Sequence, residues 1–131
     1  MNLMEWVQAT LPELMSDHEI KPASAESLVI FTAKATVQLV PNEVIAQLVS
    51  FYAHLAEVPC LDSLVVHHCD DPIIFEWWGD KELWLGSKDF YVLRWSAEKA
   101  CFCIGDASNV SFGEDEEFPD FNDAVIHLAT L

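Results

Sequence analysis

Basic side chains are scarce in this sequence. Its 131 residues include only six Lys and Arg against 22 Asp and Glu, which gives a net charge of −16. Each phosphate contact needs a cationic side chain, so the composition argues against DNA, RNA and anionic membranes as direct partners. A basic protein is the expected partner. The imbalance is greater in residues 61–131, net −11, than in residues 1–60, net −5.

Three further absences narrow the class of protein. No uninterrupted apolar run approaches the roughly 20 residues of a membrane helix. Residues 1–14 carry no basic residue and so lack the positive start of a secretory signal, which makes the cytoplasm the expected location. With only four Gly residues, the chain has no glycine-rich phosphate loop.

What the chain has is apolar content: 52% hydrophobic residues, with five Trp among the aromatics. This is enough for one core, and the length fits a single domain over 1–131. Apolar spacing predicts helices over 2–16 and 44–55, and a third that begins at an N-cap on Ser24. Because several residues after Ser24 are β-branched, a strand over 28–32 is the alternative. Asp120 is positioned to cap a last helix.

From residue 59 onward, short β-branched and aromatic runs alternate with turn formers, which is typical of an antiparallel meander. The predicted strands are 63–68, 73–78, 83–85, 89–95, 100–104 and 109–112. Turns are expected at Gly79-Asp80, Gly86-Ser87 and Ser96–Lys99, each too short for a parallel crossover. The predicted fold class is therefore α+β, with N-terminal helices and a C-terminal helix packed on one antiparallel meander sheet.

Cysteine and histidine are the first candidates for a metal or nucleophile site; calcium at the acidic run 114–117 is a lesser alternative, because the EF-hand ligand spacing is absent. Cys101 and Cys103 lie two apart on a predicted strand, so both thiols should point to one face, and Cys69 follows His67-His68. These residues lack the usual zinc-knuckle spacing and any nucleophile motif, so we expect reduced, mostly buried thiols, no metal and no cofactor. No residue is assigned a catalytic role.

Acidic residues cluster between the last predicted strand and the last helix. Like charges in one loop repel, so the run is either a solvated loop or a surface that meets the cations of a partner. Phe112, Phe118 and Phe121 could supply an apolar centre within that acidic rim. The candidate contacts are Asp106, Glu114, Asp115, Glu116, Glu117 and Asp120.

Tryptophans form a second candidate surface. On a strand over 73–78, Trp77 and Trp78 would point to opposite faces, so one of them should be at least partly exposed. Trp84 lies on the next predicted strand. Exposed Trp is a frequent interface anchor, unless a helix covers that face of the sheet.

The order of the predicted helices and strands is that of a known family. The segment from Ser27 to Val58 contains an amphipathic stretch, the turn Leu-Val-Pro41-Asn-Glu-Val and a helix that ends in Phe51-Tyr52. The meander follows, and then the closing Phe118-Pro-Asp-Phe121 helix. Together these segments, roughly residues 24–130, resemble the SUKH superfamily. The family's Gly-rich stretch is replaced here by Ala56-Glu-Val-Pro59.

The resemblance implies an α+β fold and, in bacteria, frequent use as immunity proteins that bind and neutralise toxins, many of them basic nucleases. Our leading hypothesis is therefore an acidic bacterial immunity-type protein, monomeric or homodimeric, that blocks a basic toxin domain by stoichiometric binding. One alternative is a structural or adaptor protein that self-associates through its aromatic strand face. The other is a small enzyme that uses Cys or His.

Overall fold

The computed structural model describes residues 5, 21–61, 63–76, 78–106 and 115–131 of the chain. In the first helix that it describes in full, serine and threonine side chains bond to the backbone. Helix α1 spans Ala25–Val37, and its N-cap Ser24 accepts the Ser27 N–H, as the sequence predicts. The Thr32 hydroxyl bonds the Leu28 carbonyl, four residues earlier. This bond gives the Thr32 hydroxyl a partner within the helix, and the helix runs through all of residues 28–32. The alternative strand over 28–32 is therefore wrong.

Helix α2 spans Asn42–Tyr52 and confirms the predicted apolar stripe. Its buried side chains are Val44, Ile45, Leu48, Phe51 and Tyr52. The ring of Tyr52 meets Phe31 of α1 edge-on, with centroids 5.7 Å apart. The helix predicted over 2–16 lies outside the described residues, apart from Glu5.

The chain divides into two compact units. The helical unit comprises the chain up to Val58 together with His68–Asp70, and the sheet unit comprises Pro59–His67 and Asp71–Leu131. In the sheet unit, six strands follow one another in chain order across a single sheet. The strands are β1 Val58–Leu61, β2 Leu64–Val66, β3 Glu82–Lys88, β4 Tyr91–Ser96, β5 Cys101–Asp106 and β6 Glu116–Phe118.

All the pairings from β2 to β6 are antiparallel, as the short connections require. Helix α4, Phe121–Ala129, packs on this sheet, and its Phe121 ring lies 5.3 Å from that of Phe102 on β5. Its N-cap Asp120 accepts the Asp123 N–H, which confirms the predicted cap. The fold is therefore α+β, and within the sheet unit α4 packs on an antiparallel meander sheet.

The strand predicted over 73–78 is wrong. Residues Ile73–Glu76 form a short helix, α3, and Trp78–Asp80 a 3-10 turn. The Asp71 carboxylate accepts the Ile73 N–H at 3.0 Å, and Pro72 has the backbone angle that a first helical turn needs. Cap and proline thus outweigh the β-propensity of the aromatic and β-branched residues that follow.

The turn predicted at Gly86-Ser87 is also wrong, because β3 continues through it to Lys88. Gly86 lies so close to β2 that a Cβ there would be 2.3 Å from the Val65 carbonyl oxygen. The glycine thus permits close approach of two backbones rather than a turn. The chain reverses at Asp89-Phe90, where Asp89 adopts a φ of 52°.

Two strands were not expected. Strand β1 includes Pro59, and β6 consists of residues from the acidic run, with Glu117 opposite Cys103. β6 is the last strand of the sheet, and charged side chains on an edge strand discourage pairing with other chains. The strand predicted over 109–112 lies outside the described residues.

Candidate docking surface

A buried ion-pair cluster occupies the centre of the sheet unit. Arg94 on β4 and Asp115 before β6 have side chains only 3% and 1% exposed, and their Nη2 and Oδ2 atoms are 2.5 Å apart. Glu82 on β3 lies 3.3 Å from Arg94 Nε. Lys99 approaches Asp115 at 3.3 Å, and this contact raises the Lys99 pKa. Asp115 therefore neutralises an internal cation rather than contributing to a solvated acidic surface.

The other members of the acidic run have separate positions. Glu116 is exposed and lies 2.6 Å from His127 Nε2 on α4, and Glu117 is exposed and 3.8 Å from Lys99. Asp120 is exposed and caps α4. Glu114 lies outside the described residues. The structure thus leaves Glu116, Glu117 and Asp120 at the surface.

Asp106 ends β5, where it is exposed and directly opposite Tyr91 of β4. Residues opposite each other in an antiparallel pair have neighbouring side chains. On the next strand, Glu116 pairs with Ile104, two positions before Asp106. Asp106 and Glu116 therefore belong to one end of the same sheet.

Two of the three predicted tryptophan anchors, Trp78 and Trp84, are half-buried. Trp78 stacks on Trp95 with ring centroids 6.2 Å apart, and Lys81 Nζ lies over Trp78 at 5.5 Å. The Trp84 indole N–H donates to Glu82 Oε2 at 3.0 Å. Trp77 lies outside the described residues. Because this segment is helical, the strand-alternation argument for an exposed tryptophan no longer holds.

An exposed aromatic that the sequence argument missed lies at the tip of the β3–β4 hairpin. Phe90 is 74% exposed and the neighbouring Tyr91 is 37% exposed. The flanking Asp89 is also exposed, whereas Lys88 donates through Nζ to the Ala129 carbonyl at 2.8 Å. The sequence does contain a signal for this residue. An Asp-Phe pair where the chain reverses places an apolar ring outside the alternation of side chains along the strands. We name Asp89, Phe90, Tyr91 and Asp106 the hairpin-tip surface.

The thiols are poorly suited to nucleophilic chemistry. Cys101 and Cys103 point to the same face, as predicted, with Sγ atoms 3.7 Å apart. Burial raises the pKa of Cys103 to about 12 and that of Cys69 to about 11. A nucleophilic cysteine must be a thiolate, so these two side chains stay protonated and weakly reactive near neutral pH.

One group of metal-ligating side chains comes together in the helical unit, at His68, Cys69 and Asp70. Their ligand atoms all lie within 4.8 Å of one another. His68 Nδ1 is 3.9 Å from Cys69 Sγ and 3.7 Å from Asp70 Oδ2. Nitrogen, sulfur and oxygen ligands in this combination suit a borderline cation such as Zn²⁺.

Comparison with known proteins gives no family assignment: no protein-family model and no curated protein matches the chain. Within the described part of the chain, no helix has the length and apolarity needed to cross a membrane. The function of the chain must therefore be inferred from its own surfaces.

Proposed function

We propose that this chain is an acidic, immunity-type binding protein that neutralises a basic toxin domain by stoichiometric binding in the bacterial cytoplasm. The observation that carries the proposal is the 74% exposed Phe90 at the hairpin tip, flanked by carboxylates. The resemblance of residues 24–130 to SUKH domains supports the same class of function. No catalytic role is assigned to any residue.

Phe90 has the properties of an interface anchor. A large aromatic side chain that is exposed to water adds little to the stability of the fold, but it contributes strongly to the free energy of binding when a partner buries it. It follows a strand and occupies a short reversal, so the rigid hairpin restricts its position before binding. Tyr91 extends the apolar area toward β5.

Charge around this anchor selects for a basic partner. Asp89 and Asp106 are exposed beside the aromatic pair, while the ammonium group of Lys88 is bonded to the end of α4. Glu116 and Glu117 add exposed carboxylates on β6. An apolar centre with a charged rim is the usual arrangement of a specific interface, and rim charges mainly accelerate encounter.

The gene immediately upstream of the one that encodes this chain provides the first test. We expect it to encode a basic toxin domain, and we expect co-expression of the two proteins to abolish the toxicity and to yield a one-to-one complex. A neutral or acidic product, or a basic toxin whose activity and elution are unaffected by this chain, would contradict the proposal.

A matched pair of variants tests the surface itself. Phe90→Ala should weaken the complex at least tenfold, because truncating a buried aromatic anchor costs about 2 kcal/mol or more. Val37→Ala, which shortens an equally exposed side chain on α1, should leave affinity unchanged. Equal effects of the two substitutions would remove Phe90 from the interface.

A second candidate function, self-association, is favoured by α1 rather than by the aromatic strand face first considered. Val29, Ile30, Val37 and Leu39 are exposed, with Val37 at 78% and Leu39 at 85%. Leu39 also has a left-handed backbone, with a φ of 64°. We name these four residues the α1 face. Apolar surface exposed on α1 and on Leu39 just beyond its C-terminal end suggests an unfilled interface.

Charge favours a second copy of the chain as the occupant of the α1 face. Residues 27–42 contain no acidic residue in a protein that carries 22 of them. Two molecules of net charge −16 repel each other, and this stretch, whose one charged residue is Lys34, is where their approach is least unfavourable. Stable dimers bury about 800 Å² per partner, so four side chains predict weak, concentration-dependent association.

Sedimentation equilibrium over a wide concentration range tests the second candidate. Self-association through α1 predicts a reversible dimer that Val37→Lys abolishes and Lys34→Ala preserves. A monomer at all concentrations would exclude it. A dimer that survives Val37→Lys would place the interface elsewhere.

A further inference from the structure

The turn at His68–Asp70 brings together three side chains that can bind a metal ion, through a nitrogen, a sulfur and an oxygen atom. Zinc bond lengths of about 2.0–2.3 Å imply ligand-to-ligand separations of about 3.4–3.6 Å in a tetrahedral site. The observed separations from His68 Nδ1 are 3.9 Å to sulfur and 3.7 Å to oxygen. All three ligand atoms lie within 4.8 Å of one another, so side-chain rotations that shorten these separations would close them around one ion.

The protonation state of His68 fits a ligand. Its Nδ1 accepts a hydrogen bond from the Asp70 backbone N–H at 2.9 Å, so this nitrogen carries the lone pair in the neutral ring. A metal ion binds a histidine through such an unprotonated nitrogen. Binding would exchange this one hydrogen bond for a metal bond without a change of tautomer. The Cys69 thiol, protonated in the metal-free protein, would release its proton to solvent as its sulfur binds the ion.

A residue outside the turn orients the carboxylate. The Ser27 hydroxyl donates to Asp70 Oδ2 at 2.6 Å, and Ser24 donates in turn to Ser27 at 3.0 Å. Both serines belong to the first turn of α1, which is well ordered by its cap. Metal-binding carboxylates are commonly held by such partners, which tune affinity by 10-fold to 100-fold.

We propose that His68, Cys69 and Asp70 form an open three-ligand site for a Zn²⁺-class divalent cation, with Ser27 as the residue that positions the carboxylate. The side chains of His68 and Asp70 are 30% and 48% exposed, so an ion can enter from solvent. Three protein ligands leave a fourth position for water or for a donor atom of a partner. The site is independent of the hairpin-tip surface and does not hold the fold together.

Cobalt(II) is the probe that tests this site, because a thiolate bound to Co²⁺ produces a charge-transfer absorption. We expect one equivalent of Co²⁺ to generate this absorption in the intact protein and added Zn²⁺ to remove it. Cys69→Ser should abolish the absorption, whereas Cys101→Ser and Cys103→Ser should retain it. Retention in Cys69→Ser, or no absorption in the intact protein, would overturn the proposal.

Two milder substitutions keep the test valid if Cys69→Ser impairs folding. Asp70→Asn and Ser27→Ala each change a partly exposed group, and both should weaken Co²⁺ binding at least tenfold while the circular dichroism spectrum is unchanged. The matched control is His67→Asn, which alters the neighbouring histidine and should leave Co²⁺ affinity intact. Unchanged affinity in Asp70→Asn, or equal weakening by His67→Asn, would also refute the site.

Discussion

The helical unit and the sheet unit place charge and apolar surface in opposite ways. In the sheet unit, the Arg94 and Asp115 side chains are almost fully buried. In the helical unit, Val29 and Val37 of α1 are 69% and 78% exposed. The number of acidic residues therefore describes the surface only after those in internal ion pairs, such as Asp115, are subtracted. Apolar content likewise does not identify the core until burial is known.

The largest expected effect comes from breaking the buried pair. Asp115→Ala leaves the Arg94 guanidinium with less compensation inside the sheet unit, so the free energy of unfolding should fall by about 3 kcal/mol. The matched change Glu117→Ala, two residues away and exposed, should cost less than about 0.5 kcal/mol. Urea denaturation measures both values, and similar losses would mean that burial does not distinguish the two carboxylates.

Gly86 tests how closely β2 and β3 approach. A methyl group at Gly86 would meet the Val65 carbonyl at 2.3 Å, so Gly86→Ala should destabilise the protein by about 1–3 kcal/mol. Gly79 has nothing within 4 Å of its own added Cβ, so Gly79→Ala is the control and should be nearly neutral. Thermal unfolding of both variants gives the comparison. A neutral Gly86→Ala would contradict the pairing described for β2 and β3.

Alkaline pH should weaken the sheet unit through Cys103. Burial raises its pKa from 9.0 to about 12, so between these values the folded state holds a proton that the unfolded state has lost. The stability that this thiol contributes is therefore complete below pH 9 and declines as pH rises toward 12. The decline is at most about 1.4 kcal/mol per pH unit. Cys103→Ser should reduce this slope in denaturation measured from pH 8 to pH 11, and an unchanged slope would exclude Cys103 as its source.

The smallest expected effect concerns the α1 face. Val37→Ala removes exposed methyl groups and adds a better helix former, so the stability of the monomer should change by less than about 0.5 kcal/mol. Val44→Ala, on the buried stripe of α2, should instead cost roughly 1–3 kcal/mol. Urea denaturation at low protein concentration separates the two. A large loss in Val37→Ala would show that this side chain is buried in the monomer.

The parts of the fold that can be predicted from the sequence are those that depend on local capping and turn residues. Ser24 and Asp120 are caps that act within three residues, so the starts of α1 and α4 could be read directly from the chain. The same signal existed at Asp71-Pro72, but the aromatic and β-branched residues after it suggested a strand. The role of Gly86 depends on the position of Val65, which no local pattern encodes.

The candidate site was less predictable for a related reason. A run of acidic residues gives no indication that one member, Asp115, is paired with Arg94 across the sheet, since the two are 21 residues apart. The expectation that Trp77 or Trp78 is at least partly exposed depends on a strand over 73–78, and the structure has a short helix there instead. Phe90 is a candidate contact because the chain reverses at Asp89-Phe90, and the sequence alone places that reversal elsewhere.

Association kinetics between this chain and the proposed basic toxin partner test the central claim most directly. We predict that Phe90→Ala mainly speeds dissociation. Glu116→Lys with Glu117→Lys should instead mainly slow an association that is also salt-sensitive, because rim charges steer encounter over a Debye length of about 8 Å at physiological ionic strength. Surface plasmon resonance at low and high salt resolves the two rates. Rates that respond neither to salt nor to these substitutions would contradict an acidic docking surface anchored by Phe90.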